Sequence, residues 1–504
     1  MIALVAISWA ATYQVLPKAF AQSQRTFPSD DQIRAELHRF VHVHHGAPGA
    51  VVGIIEGNDK RVVAVGESGC LQRAFVDGDT LFEIGSVTKT LTGTLLADMI
   101  LAGEVSGSER VSKLLPHGVV FDNGIEDATL VQLATHTSGM PRVAVDFPMV
   151  MRILSVDPYR GTTKEGVFRS ASKVPSAMVH RQNGMVYSNL GYAFLGRLLE
   201  ERTGVPYETL LRKRVLVPLG IEDMRLSHSE CPPDRLARGH GVNGRPACYW
   251  QLDGYAPAGC VIASANDMLG YIEANLGPTP MVTEAQRKRT DFSDGKGIGL
   301  AWMHSRVGGQ HLIWHDGHTG GFSAFVGLMP EERRGFVILA NGQGDVNALA
   351  RRLLDPSEPM LESRGGTVGY GFTLILILWG PLLIIRSIRD ARAQGKSVDS
   401  GNERQSFWRR LFSAKSRRRS VDRLEVFQSA LSPLIALILA HRLGAWFEIT
   451  FAIWWAIVGS TVVLYAILLS ELPRLSWYRP GKWRALGRIM KTLLEVVVIA
   501  ALWS

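Results

Sequence analysis

Runs of β-branched and aromatic residues stand at both ends of the region 22–355, and helix-period sequence fills the interval between them. Near its start, "GAVVGIIEG" (49–57) and "RVVAVGESG" (61–69) are separated by a short Gly/Asn/Asp turn, which predicts a β-hairpin. Far downstream, "IGLAWMH" (298–304), "QHLIWHDG" (310–317), "FSAFVGLMP" (322–330) and "GFVILANG" (335–342) read as further strands. This pattern predicts an α+β fold, with an antiparallel sheet assembled from both ends of the domain. The predicted helices include "DDQIRAELHRFVHVHH", where Ile33, Leu37, Phe40 and Val41 share a face. A second helix covers 86–102, with Val87, Leu91, Leu95 and Met99 on one side. A third begins at the Ser264–Asp267 pair, which is spaced as a capping box.

The rest of the chain has a different character. Its 504 residues suit two or three domains, and a hydrophobic content of 46% is high beside 51 glycines. The formal charge is +9, yet residues 366–504 alone hold 19 Lys/Arg against 8 Asp/Glu. A nucleic-acid binder carries its basic residues on a face of the folded domain. Here they fall between apolar runs, so no nucleic-acid partner is expected. Residues 365–385 contain no charge, and about 20 helical residues cross a bilayer core. The next stretch, 386–423, holds 12 Lys/Arg and 4 Asp/Glu, which places it on the cytoplasmic side. The expected organisation is a signal peptide or N-terminal anchor at 1–21, a folded domain at 22–355 and a membrane domain at 356–504. Spans are expected near 366–385, 426–442 and 449–470, and 489–504 fits either a fourth span or an interfacial helix. At the N-terminus an apolar run precedes Ala19-Phe20-Ala21, an A-x-A cleavage pattern. Both readings of that segment export the folded domain, and membrane lipid is then a partner of the tail.

The chemistry concentrates in "FEIGSVTKTLTG", where Ser86 and Lys89 lie one turn apart at the start of an apolar helix. A serine hydroxyl is a poor nucleophile until a base takes its proton. A lysine three residues on faces the same way, and burial that lowers its pKa makes its amine that base. The helix N-terminus adds free backbone N–H groups that suit an oxyanion. S-x-x-K alone says little, since it recurs at Ser170–Lys173. Two more elements accompany it: Tyr187 and Asn189 in "YSNLGYAFLGRLLE", and His315-Asp316-Gly317 on a strand that turns at Gly320-Gly321. A phenol beside an ammonium can shuttle protons. A glycine lets a substrate backbone lie close against a strand.

The set Ser86-x-x-Lys89, Tyr187-x-Asn189 and His315-x-Gly317 resembles the serine β-lactamase and penicillin-recognising family, and most of all its class C-like branch with H-x-G as third element. Similarity extends over roughly 30–350 in the family's order. It implies a β-lactamase/transpeptidase-like fold, an antiparallel sheet flanked by helices plus an all-helical subdomain. It also implies acylation of Ser86, acid/base work by Lys89 and Tyr187, and an oxyanion hole from the backbone of Ser86 and His318. Asn189 and Gly317 would contact the substrate, and His315 would bond the substrate or polarise the tyrosine. His315 replaces the lysine of true class C enzymes, which points toward H-x-G esterases, amidases and peptidases. The tail resembles that of membrane-anchored prodrug-activating peptidases of the colibactin-maturation type. The expected function is therefore a serine hydrolase cleaving a peptide, D-amino-acid-containing amide or ester bond. β-Lactamase or D,D-peptidase activity, and a receptor that is acylated without turnover, are the alternatives. The expected location is the bacterial inner membrane, with the hydrolase domain on the periplasmic side.

No cofactor is expected. His38, His42, His44 and His45 cluster at a helix end without a carboxylate motif, so no metal site is expected either. Cys70, Cys231, Cys248 and Cys260 lack a C-x-x-C pair and read mainly as buried thiols.

Overall fold

The computed structural model describes residues 27–358 except 71–72, 117, 120, 122, 145–156, 180–183, 222, 242–243 and 293–294, together with Ile385, Val463, Ala466 and Ile467. Among the described residues no helix is long and apolar enough to cross a membrane. The expected leader at 1–21 and, but for those four residues, the expected spans lie outside them.

The strands are β1 (Gly49–Glu56), β2 (Asp59–Gly66), β3 (Phe82–Glu83), β4 (Ile262–Ala263), β5 (Thr290–Asp291), β6 (Gly297–Ile298), β7 (Met303–Val307), β8 (Gln310–His318), β9 (Ser323–Met329) and β10 (Arg334–Ala340). Eight of them form one antiparallel sheet in the order β2-β1-β10-β9-β8-β7-β6-β5, and β3 pairs with β4 apart from it. The sheet is assembled from both ends, with β1 seated directly against β10 from Ala50↔Ala340 to Glu56↔Arg334. The principal helices are α1 (Asp30–His38), α2 (Thr88–Leu101), α3 (Leu130–Ala134), α4 (Lys164–Ser172), α5 (Asn189–Thr203), α6 (Tyr207–Leu211), α7 (Ala265–Leu276), α8 (Pro280–Gln286) and α9 (Val346–Leu354).

Both faces of the central strands are buried, and the two-residue period of a strand divides their side chains. Val51 and Ile55 of β1, with Val337 and Leu339 of β10, join the large core shared with α2, α5 and α7. Ala50, Val52 and Ile54, with Phe336 and Ile338, join a second core under Ile33 and Leu37 of α1 and Leu349 of α9. The predicted N-terminal face of Ile33, Leu37, Phe40 and Val41 is buried as a unit, and α1 runs on into a π-helical turn at Arg39–Val43. The Ser264 capping box forms, with Ser264 Oγ accepting from the Asp267 N–H at 3.1 Å.

Two local expectations differ from the structure. "IGLAWMH" does not make one strand. It breaks between β6 and β7, where Ala301 takes a φ of 72° and the chain turns inward to bury Trp302 completely. The α2 helix is not one-sided, because Thr88 to Ala97 are all buried. Its polar face consists of threonines whose hydroxyls are satisfied internally. Thr90 donates to Val87 O at 2.7 Å, and Thr92 donates to Pro257 O at 2.7 Å. A hydropathy period misses such a face, since threonine counts as polar there while its methyl packs like valine.

Asn341 at the end of β10 ties the sheet to the loops around it. Its Oδ1 accepts from Gly49 N at 2.8 Å, and its Nδ2 faces the carbonyls of Glu67 and Arg238 at 3.0 and 3.1 Å. Asn341→Ala strands a buried N–H and several carbonyls together. It should lower the unfolding free energy by about 2–3 kcal/mol, read as a shifted urea midpoint at unchanged slope.

Candidate active site

Ser86 occupies a single 3-10 turn, Gly85–Val87, that leads into α2. It is half-buried in a run of buried residues, so its hydroxyl is the part of this turn that meets the cleft. The turn is held against the end of β8 by backbone contact. Gly85 has a φ of 51°, and a Cβ placed on it would lie 2.9 Å from both N and O of His318. A Cβ on Gly317 would lie 2.0 Å from Ile84 O and 3.0 Å from Ser86 N. Only glycine fits at either position, and the two glycines together bring the backbone of Ser86 beside that of His318.

Lys89 is fully buried at 0% exposure. Its Nζ donates to Ser86 Oγ at 2.8 Å and to the carbonyl of Ala258 at 2.8 Å. Burial pushes its pKa well below the usual lysine value; the Arg142 guanidinium adds to that, and the Asp316 carboxylate opposes it. An unprotonated amine within hydrogen-bond distance of a serine hydroxyl is a general base.

Tyr187 closes the site from above, with its ring centre 5.0 Å from Lys89 Nζ and its phenol bonded to Ser86. Burial raises its pKa, the Ser86 contact partly offsets this, and Asp316 adds to the rise. The phenol is therefore protonated at rest. The physical reason is the burial of the phenol itself, which penalises the phenolate. Tyr187 is positioned from behind by a segment stitched to residues 136–142. Ser188 N donates to His136 Nδ1 at 3.1 Å, Asn189 N donates to Arg142 O at 2.9 Å, and Ser188 Oγ caps α5 through Gly191 N at 2.7 Å. The His136 ring lies 4.4 Å from the Tyr187 ring and takes a φ of 58°, a conformation uncommon for a side-chain-bearing residue. Burial holds His136 neutral, with Lys89, His315 and Arg142 adding to the effect. Arg142 lays its guanidinium 5.2 Å from the Tyr187 ring centre.

The β8 strand forms the other wall. It pairs with β7 only as far as Trp314, so among the described residues His315 to His318 have a strand partner on one side alone. His315 is buried, 6.3 Å from Tyr187 between ring centres. Its Nδ1 donates to Asp316 O at 2.5 Å, which leaves Nε2 as the acceptor. Burial lowers its pKa to about 4, against the pull of Asp316 and with help from Lys89. Ser86, Asn189 and His318 line one pocket with Gly85, Tyr159, Trp250 and Thr319. Asn189 Nδ2 donates to Tyr159 OH at 2.9 Å, while its Oδ1 and the Thr319 hydroxyl are buried without a protein partner.

Every residue singled out from sequence for the site converges here: Ser86, Lys89, Tyr187, Asn189, His315, Gly317 and His318. Arg142, His136, Tyr159, Trp250 and the Ala258 carbonyl complete the site without having been singled out. His136 carried a readable signal, since "THTSG" lies in a segment matching the family. Arg142 and Trp250 sit in irregular loops and carried none. Ser170–Lys173, the second S-x-x-K, spans the end of α4 outside this cleft. All four cysteines are unpaired, and Cys248 is exposed where a buried thiol was expected.

The Beta-lactamase family profile matches residues 25–356. The chain belongs to the beta-lactamase family. This is a family of serine hydrolases, and the fold is its β-lactamase/transpeptidase-like one. Penicillin-binding protein 4 of Amycolatopsis lactamdurans is 28% identical over 341 residues, 62% of this chain and 86% of the relative. The D-alanyl-D-alanine-carboxypeptidase/endopeptidase AmpH of Escherichia coli is 27% identical over 357 residues, 66% of this chain and 89% of the relative. A solved class C beta-lactamase superposes with a TM-score of 0.55 at 20% identity, covering 66% of this chain and 97% of that one.

The buried Lys89 makes stability depend on pH with a definite sign. Unfolded, it binds a proton up to its ordinary value of 10.5; folded, it releases that proton well below. Between those limits the unfolded state holds the extra proton, so stability rises with pH. The stability of the protein relative to Lys89→Met should therefore improve as pH is raised from 7 to 10, measured by denaturant titration of both.

Proposed function

We propose that the protein is a membrane-anchored hydrolase, facing the periplasm, that cleaves a peptide amide or ester bond through an acyl-enzyme on Ser86. The observation that carries this reading is the buried Lys89 amine 2.8 Å from Ser86 Oγ. Lys89 takes the hydroxyl proton as Oγ attacks the carbonyl carbon. The oxyanion that forms faces the backbone N–H groups of Ser86 and His318. Tyr187, protonated at rest, delivers a proton to the leaving nitrogen or oxygen, and the C–N or C–O bond breaks. Water then attacks the acyl carbon, and the same groups return Ser86 to its hydroxyl. Asn189 holds the amide of the acyl portion, and neutral His315 accepts a hydrogen bond from the substrate or from Tyr187. Gly317 lets the substrate lie against β8.

The substrate class is supported by two considerations. The relatives named as a penicillin-binding protein and a D-alanyl-D-alanine-carboxypeptidase/endopeptidase favour peptides with D-residues, and they equally favour a β-lactamase or D,D-peptidase reading. Against that second reading, His315 is neutral where the class C lysine supplies a fixed cation for a carboxylate. The membrane anchor is supported by the charge-free runs and the basic loops between them. Membrane lipid would then be the tail's partner.

The test is mass spectrometry of the purified protein with nitrocefin, a p-nitrophenyl ester and an N-acyl-D-Asn peptide. A Ser86 adduct and product from the peptide or ester are expected, with slow or no nitrocefin turnover. Ser86→Ala should lose the adduct and at least ~10³-fold in rate. Full hydrolysis by that variant would overturn the mechanism, and rapid nitrocefin turnover would shift the reading to a β-lactamase. An adduct that forms and persists without product would favour the receptor.

A further inference from the structure

Asp316 is a site-adjacent residue that the mechanism does not use. It lies on the stretch of β8 whose β7-side edge is unpaired among the described residues, between His315 and Gly317. Its side chain is half-buried at 33% exposure. Asn347 of α9 donates to its Oδ2 from Nδ2 at 2.8 Å, which fixes the carboxylate in place. Among the described residues its only ion-pair partner is His318, whose Nδ1 stands 3.9 Å away and carries charge only when protonated. Its field reaches the reacting groups: it raises the pKa values of Lys89, Tyr187 and His315. Burial works against a positive charge on both Lys89 and His315. The cation of the cleft, Arg142, belongs to the helical wall, where its carbonyl accepts from Asn189 and Leu190.

We infer that Asp316 makes the strand wall a subsite for a neutral or cationic leaving group and turns away leaving groups that end in a carboxylate. This rests on the proposed acyl-enzyme at Ser86 and refines it. Like charges brought together in a partly desolvated cleft are strongly unfavourable. Asp316 and a substrate carboxylate would meet there with no lysine or arginine ion-paired to Asp316 among the described residues. An amide, an alcohol or an amine meets no such barrier, and an amine gains from the carboxylate. The bond cleaved would then be internal to a peptide, or join an acyl group to an amine-bearing product, rather than release a C-terminal amino acid.

The probes are three aryl esters of N-phenylacetylglycine whose leaving phenols differ only in a meta substituent: carboxylate, carboxamide or aminomethyl. The acyl part is achiral, so the chirality of the natural substrate does not enter. Ser86 acylation rates for the full-length protein in detergent are divided by each ester's hydroxide hydrolysis rate. The carboxamide and aminomethyl esters should react at least about tenfold faster than the carboxylate ester, a gap of ~1.4 kcal/mol. In Asp316→Asn, which keeps an acceptor for Asn347, the gap should shrink to within about threefold. Raising sodium chloride from low to high concentration should narrow it in the unmodified protein. This second measurement decides the matter should the variant fail to fold. Equal rates for the three esters in the unmodified protein, or an unchanged gap in Asp316→Asn, would overturn the inference while leaving the acyl-enzyme intact. Absence of a Ser86 adduct with all three would remove the mechanism and the inference together.

Discussion

The structure turns on placing one amine in the dark. An ammonium taken out of water without a counter-ion costs several kcal/mol, and such a group sheds its proton instead. Lys89 is enclosed by α2, the turn that carries Ala258 and the ring of Tyr187. Two hydrogen bonds, to Ser86 Oγ and Ala258 O, are the polar contacts it is given. This sacrifices stability and leaves an amine of lowered pKa beside the Ser86 hydroxyl. The same burial raises the pKa of the neighbouring Tyr187 phenol.

The second constraint is backbone against backbone. Gly85 and Gly317 let the turn bearing Ser86 touch β8 with no side chain between them. The two backbones come from elements far apart in sequence, and their relative placement depends on the whole sheet. The long seam between β1 and β10, with Asn341 at its end, makes that sheet one body. The site is thus carried on rigid parts, which suits a reaction in which positioning supplies much of the rate.

The electrostatics of the cleft differ from what a third-element histidine alone would suggest. His315 and His136 are both buried and neutral, on either side of Tyr187. The two charges that remain belong to Arg142 and Asp316, on different walls.

Much of this was legible in the chain before folding was considered. Local patterns suffice for the hairpin, the capped helix at Ser264 and the strand runs around His315, because a two-residue or 3.6-residue period records which face is covered. The S-x-x-K, Y-x-N and H-x-G elements point to side chains that the fold brings into one cleft, although they are far apart in the chain. What sequence could not state is any property that depends on surroundings. The threonine face of α2 reads as exposed until helices close over it, the break before β7 follows from burying Trp302, and Arg142 and Trp250 enter from loops with no period at all. Above all, the protonation of Lys89, Tyr187 and His315 belongs to the tertiary structure. A side chain's identity is written locally, whereas its pKa is set by the water and charges that distant segments remove or bring near.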